Sequence, residues 1–353
     1  MQHSTQPIIT GIQQIGVGNQ HVHHAWIWAK KIGSDLKLFD SADEAPLMTR
    51  YTGGQIHKRH AIFALNLQGG GGLELWQFTS RTPSQPIQPV RMGDIGIFMA
   101  KLKCKEVDQA KMYLLSNGVQ IIADQTVDPT GKRYLVIQDP FGNYYQVVEG
   151  GEWFLDHKHP MGGVSGAVIG VSNMDQSLVF YRELLGFDHT VYDVTQEFED
   201  FSSCFNTHGQ RFRRVLLKKS VKQRGNFSEL VDSGQIELVQ ALDQKHVKIF
   251  QDRFWGDSGF IHLCFDVQNM DALRLQADAL GYPFTIDSQS AFDMNEASGR
   301  FSYVEDPDGT LIEFVEAFKI PILKKWGWYL NLEHRSSQKP LSKMLFRIMG
   351  LTR

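Results

Sequence analysis

Two glutamates, distant in the chain, stand in matching local settings. Glu74 lies in Leu73-Glu74-Leu75-Trp76 and Glu313 in Leu311-Ile312-Glu313-Phe314-Val315. Both segments read as short strands, in which successive side chains point to opposite faces. A carboxylate in such a strand ordinarily faces water. Here the flanking positions and the residues that follow are apolar as well, which directs the carboxylate inward. An ionised carboxylate out of water needs a cation or a partner. The chemistry to look for is therefore metal binding or acid–base catalysis.

The elements that hold these residues recur along the chain. Arg133 to Glu149, with Asp139-Pro140-Phe141-Gly142 at its centre, matches Arg300 to Glu316, with Asp306-Pro307-Asp308-Gly309, without a gap. Proline presets φ and glycine tolerates a positive φ, so each copy reads as a hairpin. Leu73 to Gln77 similarly matches Ile236 to Gln240. Four strands, at Ile12–Val17, Ile95–Ala100, Val168–Val171 and Ile261–Val267, each lead into a helix. Those helices, at Val22–Ile32, Val107–Ser116, Asp175–Leu185 and Asp271–Leu280, are followed by Gly33, Gly118, Gly186 and Gly281. The expected organisation is four units of strand, helix and further strands. Residues 8–150 form a first domain, 151–163 a glycine-containing linker, 164–318 a second domain and 319–353 a basic amphipathic tail.

Composition narrows the class. The chain has 353 residues, 42% hydrophobic and 21% charged, with a net charge of −3, which is ordinary globular composition with no general attraction to nucleic acid. No apolar run reaches the length of a membrane span. The beginning, Met1 to Thr10, does not read as a secretory leader. Cys104, Cys204 and Cys264 are scattered and form no CxxC pair, which argues against a disulfide scaffold or thiolate zinc site and for a reducing cytoplasm.

The ordered set of four units is similar to the vicinal oxygen chelate superfamily, which includes glyoxalase I, bleomycin resistance proteins and extradiol dioxygenases. The residues that carry the resemblance are Val171-Ser172-Asn173-Met174-Asp175, Phe180-Tyr181, Leu185-Gly186-Phe187 and the two Asp-Pro-x-Gly hairpins. It implies an α+β fold of four βαβββ modules, paired to make two domains with cupped mixed sheets. It also implies ligands on the first and last strands of each module. These are Gln14 (with Gln13 as competitor) and Glu74, Asp94 and Gln146, Gly166 and Glu237, and His262 and Glu313. Pairing within each half leaves Gly166 in a ligand position. Pairing the first module with the fourth gives Gln14, Glu74, His262 and Glu313, the ligand pattern of glyoxalase I. Asp94, Gln146, Gly166 and Glu237 then form a second set without histidine.

One imidazole and three oxygen ligands suit a divalent zinc, nickel, cobalt, manganese or iron ion. Through the resemblance, Glu313 is the expected catalytic base, with Glu74 facing it. The implied activity is that of a lyase or isomerase working on a small carbonyl compound or its thiol adduct. The alternative is a protein that binds a small molecule without converting it. A dioxygenase is disfavoured because Gly166 stands where a histidine is needed.

Other clusters read differently. His21, His23 and His24 open a helix and read as a solvated face. Gly69–Gly72 precedes a strand and reads as a turn or a close backbone approach. Arg211, Arg213 and Arg214 read as a solvated basic stretch, with an anionic substrate as the alternative. The tail carries eight basic residues and one acid. Leu341, Met344, Leu345, Ile348 and Met349 follow helical spacing after Pro340. A helix over Pro340–Met349 is expected, with Trp326, Trp328 and Tyr329 packed on apolar surface. Packing on the body or on a second copy is one reading of this tail, and contact with a membrane surface is the other.

Overall fold

The computed structural model describes residues 6–156, 159–289, 292–293, 297–333, 335 and 339–352. The first unit comprises β1 (Ile8–Gly18), α1 (Val22–Lys31), β2 (Leu36–Glu44), β3 (Lys58–Leu65) and β4 (Gly72–Phe78). The second has β5 (Gly96–Cys104), α2 (Val107–Ser116), β6 (Gln120–Val127), β7 (Arg133–Gln138) and β8 (Tyr144–Glu149). The third has β9 (Met161–Gly170), α3 (Met174–Glu183), β10 (His189–Glu197), β11 (Arg211–Lys218), a short α4 (Ser228–Val231) and β12 (Gln235–Ala241). The fourth has β13 (Gly259–Gln268), α5 (Met270–Ala279), β14 (Ile286–Asp287), β15 (Phe292–Asp293), β16 (Ser298–Glu305) and β17 (Leu311–Leu323). β9 begins at Met161, inside the stretch read as linker.

Local chemistry sets the element ends. The Asn173 side chain accepts the backbone N–H groups of Asp175 and Gln176, both at 3.1 Å, and so caps α3. At the other end of α3 the Gly186 N–H returns to the Arg182 carbonyl at 3.0 Å. In the repeated hairpins the aspartate holds the turn from inside. Asp139 Oδ1 accepts from the N–H groups of Phe141 (2.9 Å) and Asn143 (2.8 Å). Asp306 Oδ1 accepts from those of Asp308 (3.0 Å) and Thr310 (2.8 Å). Gly142 and Gly309 complete the turns at φ of +91° and +89°, where a β-carbon is strained.

The strands form two mixed sheets of α+β architecture. One runs β14–β16–β17–β13–β1–β4–β3–β2, with β15 added on β16. The other runs β10–β11–β12–β9–β5–β8–β7–β6. The first and fourth units thus share a sheet, as do the second and third. At the centre of the first sheet β1 pairs antiparallel with β13, while β4 and β17 lie parallel on their outer sides. Apolar residues from both sheets, among them Ile15, Leu73, Leu102 and Ile169, belong to one buried cluster. The sheets meet closely at the glycine run before β4. Gly71 N–H donates to the Val164 carbonyl at 2.7 Å, and a β-carbon on Gly70 would lie 2.8 Å from the Gly163 carbonyl carbon. Gly69–Gly72 is therefore a close backbone approach.

The tail begins as a continuation of the sheet. β17 runs through Phe318 to Leu323, and β18 (Trp328–Asn331) folds back on it, with Lys319 opposite Asn331. A final helix, α6, spans Lys343–Met349. It starts later than Pro340 because the preceding residues bond elsewhere. Arg335 donates to the Pro340 carbonyl at 2.9 Å, and Leu341 N–H donates to the Asn226 carbonyl at 2.9 Å. Leu332, Leu341, Phe346 and Met349 are buried in a cluster with Ile320 and Phe154. The expected burial of the tryptophans is not found: Trp326 is 79% and Trp328 43% exposed. They flank the turn between β17 and β18, and the aliphatic residues and Phe346 take over the packing. No helix among the described residues is long and apolar enough to cross a membrane.

Because Lys319 lies in a paired strand while Lys325 sits in an exposed turn, trypsin should cut at Lys325 well before Lys319, at low and high salt alike. Mass spectrometry of early digests checks this. Early cleavage at Lys319 would mean that the tail is not built into the sheet.

Candidate metal centre

The pairing of β1 with β13 brings together residues from both ends of the chain. Gly16 on β1 is in register with His262 on β13 and with Glu74 on β4. A β-carbon at Gly16 would lie 2.4 Å from His262 Cε1, so the glycine makes room for the imidazole. On the far side, β17 places Glu313 beside Cys264, and β16 places Tyr303 opposite Glu313. A register shift on β1 between Ile12 and Gln14 lets two consecutive side chains, Gln13 and Gln14, line the same cavity. Gln14 is the one that reaches the carboxylates, with Nε2 at 3.2 Å from Glu74 Oε2 and 3.3 Å from Glu313 Oε2. Gln13 instead lies by Cys264 Sγ, at 3.7 Å.

His262 Nε2 lies 3.2 Å from Glu74 Oε2 and 3.1 Å from Glu313 Oε2. The ring is fully buried, and Nε2 has no aligned hydrogen-bond partner. Nδ1 is 3.4 Å from the Tyr303 hydroxyl, and the Trp255 indole stacks on the ring at 6.3 Å between centroids and 16° between planes. Burial alone would lower the imidazole pKa. The Glu313 and Glu74 carboxylates outweigh it and push the value up to about 9. Glu313 is raised by burial but held below its ordinary value, because His262 beside it favours the carboxylate. Burial drives the Cys264 thiol and the Tyr303 phenol upward, so both are neutral.

This arrangement fits a divalent cation. One ligand atom each from Glu74, His262 and Glu313 lies within 4.8 Å of the others. Two ligands at about 2.1 Å from a metal and at 90–109° to each other are roughly 3.0–3.4 Å apart. The nitrogen–oxygen separations of 3.1 and 3.2 Å fall in that interval. Nε2 faces both carboxylates at these distances without hydrogen-bond alignment to either, as ligands converging on one point would.

The second sheet answers the same electrostatic need with side chains. Glu237 on β12 is completely buried. Lys101 Nζ reaches it at 2.7 Å and also donates to Gln146. Arg214 meets Glu237 at 2.6 Å and Asp200 at 2.7 Å. Burial would raise the Glu237 pKa, but Arg214 and Lys101 reverse this and bring it down to about 2. Gly166 faces Lys101 across the sheet. Asp94 takes no part: it precedes β5 and is tied to Arg91 at 2.9 Å. Gln146, Gly166 and Glu237 thus meet at Lys101 while Asp94 lies apart, and two side-chain cations occupy the neighbourhood of Glu237.

The arginine cluster needs correction. Arg211 and Arg213 are surface residues paired with Asp243 and Asp193, whereas Arg214 is fully buried. The three sit on one strand, and the alternation that exposes Arg213 turns Arg214 inward. His21, His23 and His24 lie at the start of α1, with His21 and His23 exposed and His23 against His60. Lys101, Tyr303 and Trp255 were missed from the sequence. Lys101 had a signal, a cation inside the apolar run Ile97 to Leu102. Tyr303 was marked by its place in the repeated hairpin. Trp255 lies in a loop and had none.

Removing Glu237 leaves buried Lys101 without its carboxylate and Arg214 with Asp200 alone. Glu237→Ala should cost about 3–5 kcal/mol of stability, read by urea denaturation. Its folded pKa is depressed, so its contribution is complete above pH about 4.5 and is lost as pH falls toward 2. Loss below about 1 kcal/mol would show that the triad is not the constraint described.

Comparison with known proteins agrees with this architecture. Residues 163–314 match the model of the Glyoxalase/Bleomycin resistance protein/Dioxygenase superfamily. No curated protein matches the sequence. Among solved structures, a putative dioxygenase from Bacillus subtilis is similar over 88% of this chain and 86% of its own, at 14% identity and a TM-score of 0.56. Glyoxalase I from Zea mays is similar over 88% of this chain and 92% of its own, at 12% identity and a TM-score of 0.51. At these identities the likeness is one of fold. The family match lies within the third and fourth units, and the folds of the similar structures span most of the chain.

Proposed function

We propose that the protein is a metal-dependent lyase or isomerase of the glyoxalase type, acting on a small carbonyl compound or its thiol adduct. The observation that carries this reading is the buried Glu74–His262–Glu313 cluster at the floor of a cavity of about 310 Å³. Glu74, His262 and Glu313 would hold zinc, nickel, cobalt, manganese or iron, with the Gln14 amide oxygen as the fourth ligand. The bound cation would supply Lewis-acid polarisation of a substrate oxygen.

The chain's own residues supply the rest. His262 presents Nε2 as ligand when Nδ1–H donates to the Tyr303 oxygen, which fixes the tautomer and the ring plane. Trp255 stacked on the ring and Trp76 at the cavity wall keep water from the cluster. Glu313 takes the proton from the carbon next to the carbonyl and returns it to the neighbouring carbon. Glu74, on the opposite strand, balances the charge while Glu313 is protonated. A dioxygenase reading is weaker, because the cluster contains one histidine.

Elemental analysis of protein purified without chelator should find a divalent metal that is absent from His262→Ala. In a hemithioacetal isomerisation assay, Glu313→Gln should lose activity by about 10²–10⁴-fold while retaining much of the metal. Equal activity of this variant and an active parent would remove Glu313 from the role. A metal-loaded parent without turnover would favour a protein that binds its ligand unchanged.

The raised His262 pKa also sets a pH dependence. Below about 9 the metal must displace a proton from the imidazole, so affinity should weaken as pH falls. Calorimetry near neutral pH, in buffers of different ionisation enthalpy, should report about one proton released per metal bound. Zero release would contradict the ligand role of His262.

A further inference from the structure

The cavity above the cluster is built asymmetrically. On β17 the residues two apart share a face, and Val315, Ala317 and Lys319 continue outward from Glu313 along the cavity wall. At strand rise, this row extends about 20 Å from the carboxylate. On β3, Phe63 stands opposite Glu74, and Leu65 follows it in the same direction. In the other direction lies Arg59, level with Asp43 on β2. Its Nη1 donates to the Ser41 carbonyl at 2.9 Å, and the charges of Glu74 and Asp43 act on it. Polar groups thus concentrate at the cluster and on the Arg59 side, and the opposite arm is lined mainly by hydrocarbon, with Lys319 and Ser298 facing each other near its outer end.

Two insertions close that arm. Leu230 and Val231 of α4 come from the third unit, outside the sheet that carries the metal centre. Phe346 and Met349 come from α6. Phe346 is held edge-on against Phe154, with ring centroids 5.0 Å apart, which fixes it as a wall. The tail is thereby part of the binding cavity.

We propose that the ligand is an amphipathic carbonyl compound. Its polar end lies at the Glu74–His262–Glu313 cluster, and a hydrocarbon chain of several methylenes runs along β17 to end against α6. The position of the polar end rests on the metal-centre reading. The chain arm rests on the apolar walls alone. A compact, strongly hydrophilic ligand would leave that arm filled with water against hydrocarbon. A linear chain would instead bury apolar surface along it.

Isothermal titration of neutral 1-hydroxy-2-alkanones of about four to about twelve carbons onto the full-length protein, with and without zinc, tests this. Affinity should tighten about three- to fourfold per added methylene until the chain meets α6, then level off. Ala317→Trp, which blocks the arm partway, should move the plateau to shorter chains, and Phe346→Asn should weaken binding only of chains long enough to reach α6. Circular dichroism and the urea-unfolding midpoint serve as the folding control for both variants, so either one tests the proposal if the other misfolds. Affinity independent of chain length in protein that takes up zinc would overturn the proposal and leave the metal centre standing. The slope persisting in protein that takes up no zinc would support the proposal and remove the metal reading. An unchanged plateau in folded Ala317→Trp would also overturn it.

Discussion

A carboxylate buried in a β-sheet requires positive charge, and both sheets of this protein are organised around that requirement. In the sheet of the second and third units, Glu237 is met by Lys101 and Arg214. In the sheet of the first and fourth units, Glu74 and Glu313 face each other across His262 and the neutral Gln14 amide. Arg59 acts on Glu74 from a distance. A single imidazole proton offsets one of the two charges at most. The first solution is complete within the chain. The second stays electrostatically open, which is the condition for holding a cation and for exchanging protons with a ligand.

The antiparallel contact between β1 and β13 turns this into a site. It joins strands from opposite ends of the chain, so the Gln14 and Glu74 pair meets the His262 and Glu313 pair across Gly16. The β1 register shift then decides which glutamine reaches the carboxylates. Packing supports the same geometry from outside: Trp255 and Tyr303 hold the imidazole, and the aspartates of the hairpin turns hold the strand ends. The tail adds a wall rather than a loose appendage, because β17 carries it outward as continuous strand.

Much of this was legible in the residues. The glycine stops at Gly186 and Gly281 located the ends of α3 and α5, and the gapless repeat of the Asp-Pro-x-Gly hairpins exposed the unit structure. The inward aim of Glu74 and Glu313 followed from their apolar neighbours. What stayed hidden was set by contacts between distant segments. Gln13 and Gln14 could not be separated, because a bulge depends on the partner strand. The fate of Arg214 depended on Glu237 and Asp200, which lie on other elements. Amphipathic spacing pointed to a final helix, but the hydrogen bonds of Arg335 and Leu341 set its start, and the turn at Gly327 left two tryptophans in solvent. Local pattern reads propensity and direction. Register, cross-chain pairing and the occupants of a buried site are tertiary facts.

The central claim is that one divalent cation is held jointly by the two ends of the chain. Anomalous X-ray diffraction from crystals of the metal-loaded protein, collected above and below the metal's absorption edge, tests it most directly. The account predicts a single strong peak between Glu74, Glu313 and His262 Nε2. A peak beside Glu237, or among His21, His23 and His24, with none at the β1–β13 seam, would contradict it.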